Sequence, residues 1–348
     1  MNEVKLLLQK WVDDGLLPGA ALRVVHNQRV WYACDVGKTS VTGDQLVTPE
    51  TLYDLASLTK VTATLPALLL LFQEGMIAPD DRIGMYFPDC PADKDSITIA
   101  QLLTHTSGLP ADLAERRRDS QIDLPELLFQ QKLLHPPGTQ VVYSDLGMIW
   151  LGLLIERVTK QKLDAYVTHH VYEPLGMNRT LYCPNTSVFR NIACTEYCSL
   201  TGKYIAGEVH DEKAYVMGGV AGHAGLFSTA DDLCRYAMSW LYGTPPLISD
   251  EWREQAIHWH TMQVSGSRGY GWELNCSQTL LSCGSGFHPS SYGHTGFTGT
   301  SMWIDPVQDL AVIFLTNVVH LGRNHQLRQL RPLLHDAVTT QLHKSLTE

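Results

Sequence analysis

The stretch from Val61 to Phe72, Val-Thr-Ala-Thr-Leu-Pro-Ala-Leu-Leu-Leu-Leu-Phe, is apolar around almost its whole circumference if it is helical. A surface helix carries one apolar stripe, so a helix of this kind belongs inside a fold, packed all round. It is too short to span a bilayer, and Thr62, Thr64 and Pro66 interrupt it. Directly before it stand Ser57-Leu58-Thr59-Lys60. Together they predict a helix of about 18 residues opening at Ser57, with Gly75 as its stop. On such a helix Ser57 and Lys60 share a face, and the lysine can reach the serine oxygen.

A free serine hydroxyl is a poor nucleophile and needs a base to take its proton. A lysine serves when its surroundings hold it neutral, as burial can do. The tetrad alone is weak, because S-x-x-K turns up about once by chance in a chain of this length. Alone, Ser57 reads as a helix N-cap. Two later motifs change the balance: Tyr143-Ser144-Asp145 in mid-chain and His294-Thr295-Gly296 near the end. A phenol, with an ordinary pKa of ~10, can act as a base beside cations and then protonate a leaving group. The competing reading of Tyr143 is a core tyrosine.

These three elements, in this order, resemble the S-x-x-K, Y-x-N and K-T-G or H-T-G motifs of the serine β-lactamase and penicillin-binding-protein superfamily. The resemblance is to its class C β-lactamase-like branch, with D-aminopeptidases, esterases and low-molecular-weight penicillin-binding proteins. It extends to Leu103 to Leu109, Gly222 to Ser228 and Trp303 to Pro306, and runs from about Pro18 to Asn317. It implies an α+β, β-lactamase/transpeptidase-like fold: an antiparallel sheet from both chain ends, flanked by helices, with a mostly helical inserted lobe. One domain is expected over 1–348, with an α/β lobe over about 1–75 and 205–348 and a helical lobe over about 76–204.

The resemblance also implies roles. Ser57 is the nucleophile, Lys60 and Tyr143 move protons, and the amides of Ser57 and Phe297 form the oxyanion hole. Asp145, His294, Thr295 and Gly296 face substrate, with Gly296 permitting close backbone approach. His105 and His223 support loops around the site. Asp145 departs from the usual asparagine: an ionised aspartate only accepts hydrogen bonds. Facing the site, it raises the pKa of Lys60; otherwise it is protonated or turned to a backbone donor. His294 departs from the lysine of K-T-G. Histidine is mostly neutral at pH 7, which argues against carboxylate-bearing, penicillin-type substrates.

The expected function is a serine hydrolase acting through an acyl-enzyme on small amides, D-amino-acid peptides or esters. The alternatives are a weak β-lactamase or D,D-carboxypeptidase, and an acylated sensor that does not turn over. No cofactor is expected. Fifteen histidines, among them His169-His170, His258 and His260, raise the question of a metal, but H-E-x-x-H and paired Cys/His spacings are absent. Gly218-Gly219-Val220-Ala221-Gly222 reads as a tight turn under the cleft rather than a nucleotide loop. A net charge of −10 argues against nucleic-acid partners, and Arg116-Arg117-Arg118 reads as a solvated loop. The eight cysteines lack regular spacing and read as reduced, mostly core thiols. The opening Met-Asn-Glu-Val-Lys and early Asp13-Asp14 do not make a signal peptide. A cytoplasmic location is expected, with an extracytoplasmic one open if a leader precedes the sequence read. No membrane span is expected, and the oligomeric state is left open.

Further elements follow from pattern: a helix over 3–14, a hairpin of Ala20 to Val25 and Arg29 to Val36, a helix from Asp145 to Thr159, and another from Leu226 to Trp240 capped by Ser228. A second hairpin joins Ser301–Ile304 to Leu310–Thr316, and a C-terminal helix starts near Asn324.

Overall fold

The computed structural model describes residues 2–113, 118–119, 124–264, 266–276 and 282–347. Helix α1 (Asn2–Asp13) leads into β1 (Gly19–His26) and β2 (Arg29–Gly37). Asn27 and Gln28 between them have φ of 52° and 58°, the left-handed pair that a tight two-residue hairpin needs. The sheet is completed from the other end of the chain by β3 (Glu273–Leu274), β4 (Tyr292–Thr295), β5 (Ser301–Asp305) and β6 (Leu310–Thr316). Its order is β2-β1-β6-β5-β4-β3, and every neighbouring pair is antiparallel.

Every residue of β1 is buried, because both faces of the sheet are covered. Ala20, Leu22 and Val24 join the cluster under α1 and the C-terminal helix Leu327–Thr347. Ala21 and Val25 face the larger core on the other side. Arg23, also buried in β1, is neutralised by Asp35 at 2.8 Å and Asp231 at 2.5 Å.

The apolar run sits in that larger core, but not as one regular helix. A 3₁₀ turn (Ala56–Leu58) passes into a π-helical segment (Lys60–Thr64) and then into α2 (Leu65–Gln73). Pro66 is the physical reason: it has no N–H for the Thr62 carbonyl and crowds it. The freed carbonyls find tyrosines instead. Thr62 O accepts from Tyr172 Oη at 3.3 Å, and Val61 O accepts from the Tyr236 hydroxyl. Single π turns of this kind occur often at functional sites. Ala56–Gln73 is the single helical stretch among the described residues long and apolar enough to cross a membrane, and 89% of it is buried inside the fold.

Three further helices frame the site: α3 (Asp145–Thr159), α4 (Glu212–Val216) and α5 (Ala230–Tyr242). Ser144 caps α3 by accepting from Gly147 N at 3.3 Å. Two expectations are corrected. Leu226–Ser228 is not the start of a helix but a buried strand, paired with Tyr53–Asp54 on one side and Leu181–Tyr182 on the other. Pairing on both edges overrides local propensity. The cap of α5 is therefore Thr229, which accepts from Asp232 N, while Ser228 Oγ bonds Thr180 Oγ1 at 2.7 Å. Arg118 is not a solvated side chain: it pairs with Glu208 and lies over the Tyr215 ring at 4.1 Å. Arg116 and Arg117 lie outside the described residues. All eight cysteines are free thiols, four of them buried.

Candidate active site

Ser57 sits at the mouth of the irregular helix on a strained support. Ala56, just before it, has φ of 46°, a conformation that residues with a Cβ rarely adopt. The buried Asp54 carboxylate holds this turn, accepting from Ala56 N at 2.8 Å and His210 N at 2.7 Å. Ser57 lies inside the 3₁₀ turn, whose N-cap position is Leu55. The Ser57 oxygen accepts from Lys60 Nζ at 2.9 Å.

Lys60 is fully buried and has two other partners: the His223 carbonyl at 3.2 Å and Asp145 Oδ1 at 2.7 Å. Ser57 Oγ and the His223 carbonyl accept hydrogen bonds from the ammonium, whereas Asp145 Oδ1 stands at ion-pair distance without hydrogen-bond geometry. Burial pushes the Lys60 pKa down, but Asp145 and the Tyr143 hydroxyl outweigh it and the net shift is upward. Asp145 thus faces Lys60 rather than a backbone donor, and it is ionised. Burial would raise its pKa, but Lys60, His223 and Lys213 hold it well below the usual carboxylate range.

Behind this pair lies a second buried lysine. Lys213, at the start of α4, contacts Asp112 at 3.0 Å, Asp145 Oδ2 at 3.2 Å and Asp211 at 3.1 Å. Asp211 also meets His223 Nε2 at 2.7 Å. The chain of contacts runs Lys60–Asp145–Lys213–Asp211–His223 and returns to Lys60 through the His223 carbonyl.

Across the cleft stands Tyr143, flanked by two cations: Lys60 Nζ lies 5.0 Å and the Arg268 guanidinium 5.3 Å from its ring centroid. Two histidine rings pack on it, His105 at 4.6 Å and His294 at 5.8 Å between centroids. The partners fix both tautomers. Ser144 N donates to His105 Nδ1 at 3.2 Å, so the proton of His105 is on Nε2. His294 Nδ1 donates to the Thr295 carbonyl at 2.8 Å, leaving Nε2 as an acceptor. Burial, with Arg268 and Lys60 adding to it, holds both imidazoles well below their ordinary pKa, so both are neutral. His105 Nε2, His294 Nε2 and Arg268 Nη1 are all buried without a hydrogen-bond partner among the described residues.

β4 forms the opposite wall and ends in Thr295 and Gly296. A Cβ on Gly296 would stand 2.4 Å from the Leu55 carbonyl, so only glycine lets this strand approach the Ser57 turn. Thr298 Oγ1 donates to Asp54 O at 2.7 Å and Thr300 Oγ1 to Leu55 O at 3.0 Å, binding the two segments together. Arg331 from the C-terminal helix donates to the Gly296 and Thr300 carbonyls at 3.3 and 3.0 Å. Phe297, at the tip, is half-exposed and stacks on His210 with centroids 5.7 Å apart.

Asp145, Asp211 and His223 bring three possible metal-ligand atoms within 4.8 Å of one another. Lys60 and Lys213 already stand against these groups at ion-pair distance, so a cation there would meet two ammonium charges. Dialysis against EDTA is expected to leave the hydrolysis rate unchanged; a fall that zinc restores would put a metal in the reaction.

The residues named from sequence, Ser57, Lys60, Tyr143, Asp145, His294, Thr295, Gly296 and Phe297, all belong to elements that border this cleft. Lys213, Asp211, Asp112 and Arg268 are additions. The run Val209-His210-Asp211-Glu212-Lys213, dense in ionisable residues before a glycine-rich turn, was the available signal for two of them.

The comparisons with known proteins agree with this geometry. The Beta-lactamase family model matches residues 5–336. A protein of Escherichia coli (strain K12) named "Putative D-alanyl-D-alanine carboxypeptidase" is 35% identical over 362 residues, covering 92% of this chain and 82% of the relative. Among solved structures, EstCE1, a hydrolase with promiscuous acyltransferase activity, superposes with a TM-score of 0.76 at 22% identity, covering 95% of this chain and 98% of the other. The octameric penicillin-binding protein homologue from Pyrococcus abyssi does so with a TM-score of 0.76 at 22% identity, covering 98% of this chain and 77% of that one. An antiparallel sheet built from both chain ends, with the Ser57–Lys60 pair beside the end of β4, thus stands in the β-lactamase/transpeptidase-like fold, and the chain belongs to the Beta-lactamase family as a serine hydrolase of its peptidase and esterase type.

Proposed function

We propose that the chain hydrolyses short peptides ending in a D-amino acid with a free carboxylate, as a D,D-carboxypeptidase, through an acyl-enzyme on Ser57. The observation that carries this reading is Arg268. Its guanidinium borders the cleft beside Tyr143, its Nη1 is buried without a partner, and no carboxylate pairs with it among the described residues. A buried guanidinium nitrogen without a partner is costly unless a ligand completes it, and a carboxylate fits the planar fork. The likeness to the E. coli protein named as a D-alanyl-D-alanine carboxypeptidase supports the same class. The argument from sequence that a neutral His294 disfavours carboxylates considered one position only; here the cation comes from another part of the chain.

Chemistry follows from the proton inventory. The His223 carbonyl only accepts, so it occupies one Lys60 N–H in any state, while Asp145 Oδ1 stands beside the ammonium as its counter-charge. Another Lys60 N–H points at Ser57 Oγ. The active form has one proton fewer on the Lys60–Tyr143 pair, and the lost proton belongs to the pair rather than to one group. Ser57 Oγ then attacks the carbonyl carbon and its proton passes to that pair. The Ser57 and Phe297 amides take the oxyanion, at ~3 kcal/mol each in the transition state. The C–N bond breaks, and the pair returns the proton to the leaving amine. Water repeats the sequence on the ester to free the acid and Ser57.

The test is release of D-alanine from an N-acyl D-Ala-D-Ala peptide, compared with hydrolysis of the same peptide as its C-terminal amide. The free acid is expected to be cleaved at least about tenfold faster. Equal rates would remove the carboxylate from recognition. His294→Lys is expected to change this preference less than about threefold. The new ammonium would be desolvated and repelled by Arg268 and Lys60, which favours its neutral form. A tenfold rise in that variant would place the recognition cation at position 294 instead.

A further inference from the structure

Lys213 is buried, reaches none of the groups that take part in bond making, and touches three carboxylates. Asp145 lies between it and Lys60, with Oδ1 on Lys60 at 2.7 Å and Oδ2 on Lys213 at 3.2 Å. We propose that Lys213 is a positioning residue for the reaction: by holding the far oxygen of Asp145 it limits how firmly that carboxylate keeps the proton on the Lys60–Tyr143 pair. This inference rests on the roles given to Ser57, Lys60 and Tyr143 above.

The charge inventory requires such a partner. Where the Y-x-N pattern has a neutral asparagine, this chain places a full negative charge against the lysine that must give up a proton. Lys60 faces Ser57, Tyr143, Asp145 and the His223 carbonyl, with Arg268 and the neutral His105 and His294 acting on it across the cleft. Lys213 faces Asp112 from the loop before α3, Asp211 at the head of its own helix, and Asp145. Asp211 in turn faces His223. Without Lys213, Asp145 loses the cation on its far oxygen, and its carboxylate holds the proton on the Lys60–Tyr143 pair more tightly. The sign is the same whichever of the two groups releases it.

The experiment is the pH dependence of kcat/KM for a neutral p-nitrophenyl ester, so that the substrate does not titrate. Wild type, Lys213→Gln, Asp145→Asn, the double variant and Lys60→Ala are compared. Lys213→Gln is expected to move the acid limb up by about one pH unit, and Asp145→Asn to move it down. In the double variant the limb should lie within about 0.3 unit of Asp145→Asn, because Lys213 acts through Asp145. A purely structural lysine would lower Tm and rate without moving the limb. An unmoved limb in Lys213→Gln, or an equal shift in both backgrounds, overturns the proposal. Should Lys213→Gln not fold, the double variant, which removes one charge of each sign, decides: a limb about one unit from that of Asp145→Asn overturns it. Lys60→Ala separates the two readings. Full activity in that variant refutes the proton roles of the Lys60–Tyr143 pair, whereas an inactive Lys60→Ala beside an unmoved Lys213→Gln limb refutes only the role of Lys213.

Discussion

Ser57→Ala is expected to abolish turnover of esters and D-peptides alike, with a loss in kcat of about a thousandfold or more. The change removes one oxygen, the atom proposed to attack the carbonyl beside β4. It should cost the fold little. Ser57 does not occupy the cap position of its turn, and Lys60 keeps Asp145 and the His223 carbonyl when the serine oxygen is gone. Water can take the freed ammonium proton, since Ser57 is only partly buried, so the stability change should be on the order of 1 kcal/mol. Two measurements suffice: steady turnover of a p-nitrophenyl ester, and intact mass after a fluorophosphonate or penicillin probe. Wild type should carry one adduct, with peptide mapping at Ser57, and the variant none. Ester turnover above a trace in the variant would remove Ser57 as nucleophile. The wild-type progress curve decides against the sensor alternative if a steady rate follows any burst.

What could be read in advance was short-range. Ser57 and Lys60 are three residues apart, so any helix-like backbone joins them, and even the 3₁₀-to-π path preserves the contact. α3 was readable because its apolar residues recur with helical period. The two terminal hairpins were readable from β-branched runs and short turns. The π segment was not, because a proline early in an apolar run can kink, start or widen a helix, and the tyrosines that choose among these are over a hundred residues away. Leu226–Ser228 misled for a related reason: three apolar-to-small residues before an amphipathic helix look like its first turn until two other strands claim their backbone. Charges were hardest. Asp145 was visible as a departure from pattern, but its second partner, Lys213, is 68 positions on and its meaning depends on Asp112 and Asp211 arriving beside it. Nothing in the local sequence around Arg268 distinguishes it from an exposed arginine.

Arg268→Met should cost roughly 10- to 150-fold in kcat/KM for an N-acyl D-Ala-D-Ala peptide, the loss of one charge-assisted contact of about 1.5–3 kcal/mol. For a neutral p-nitrophenyl ester the loss should stay within about threefold. The difference between substrates carries the argument, because Arg268 also flanks the Tyr143 ring and adds to the field that keeps His105 and His294 neutral. Any disturbance of Tyr143 or of the imidazoles appears with both substrates and cancels in the ratio. Carboxylate recognition appears with one. The side chain is a fair target for removal, since its Nη1 has no partner among the described residues to be left behind, and methionine fills similar volume beside the ring. Arg268→Lys should fall between the two, keeping the charge but not the planar fork. A matching loss for peptide and ester would mean that Arg268 serves Tyr143 alone. The preference for a free carboxylate would then lose the cation proposed to explain it, and the peptidase reading would give way to an esterase acting on neutral acyl groups.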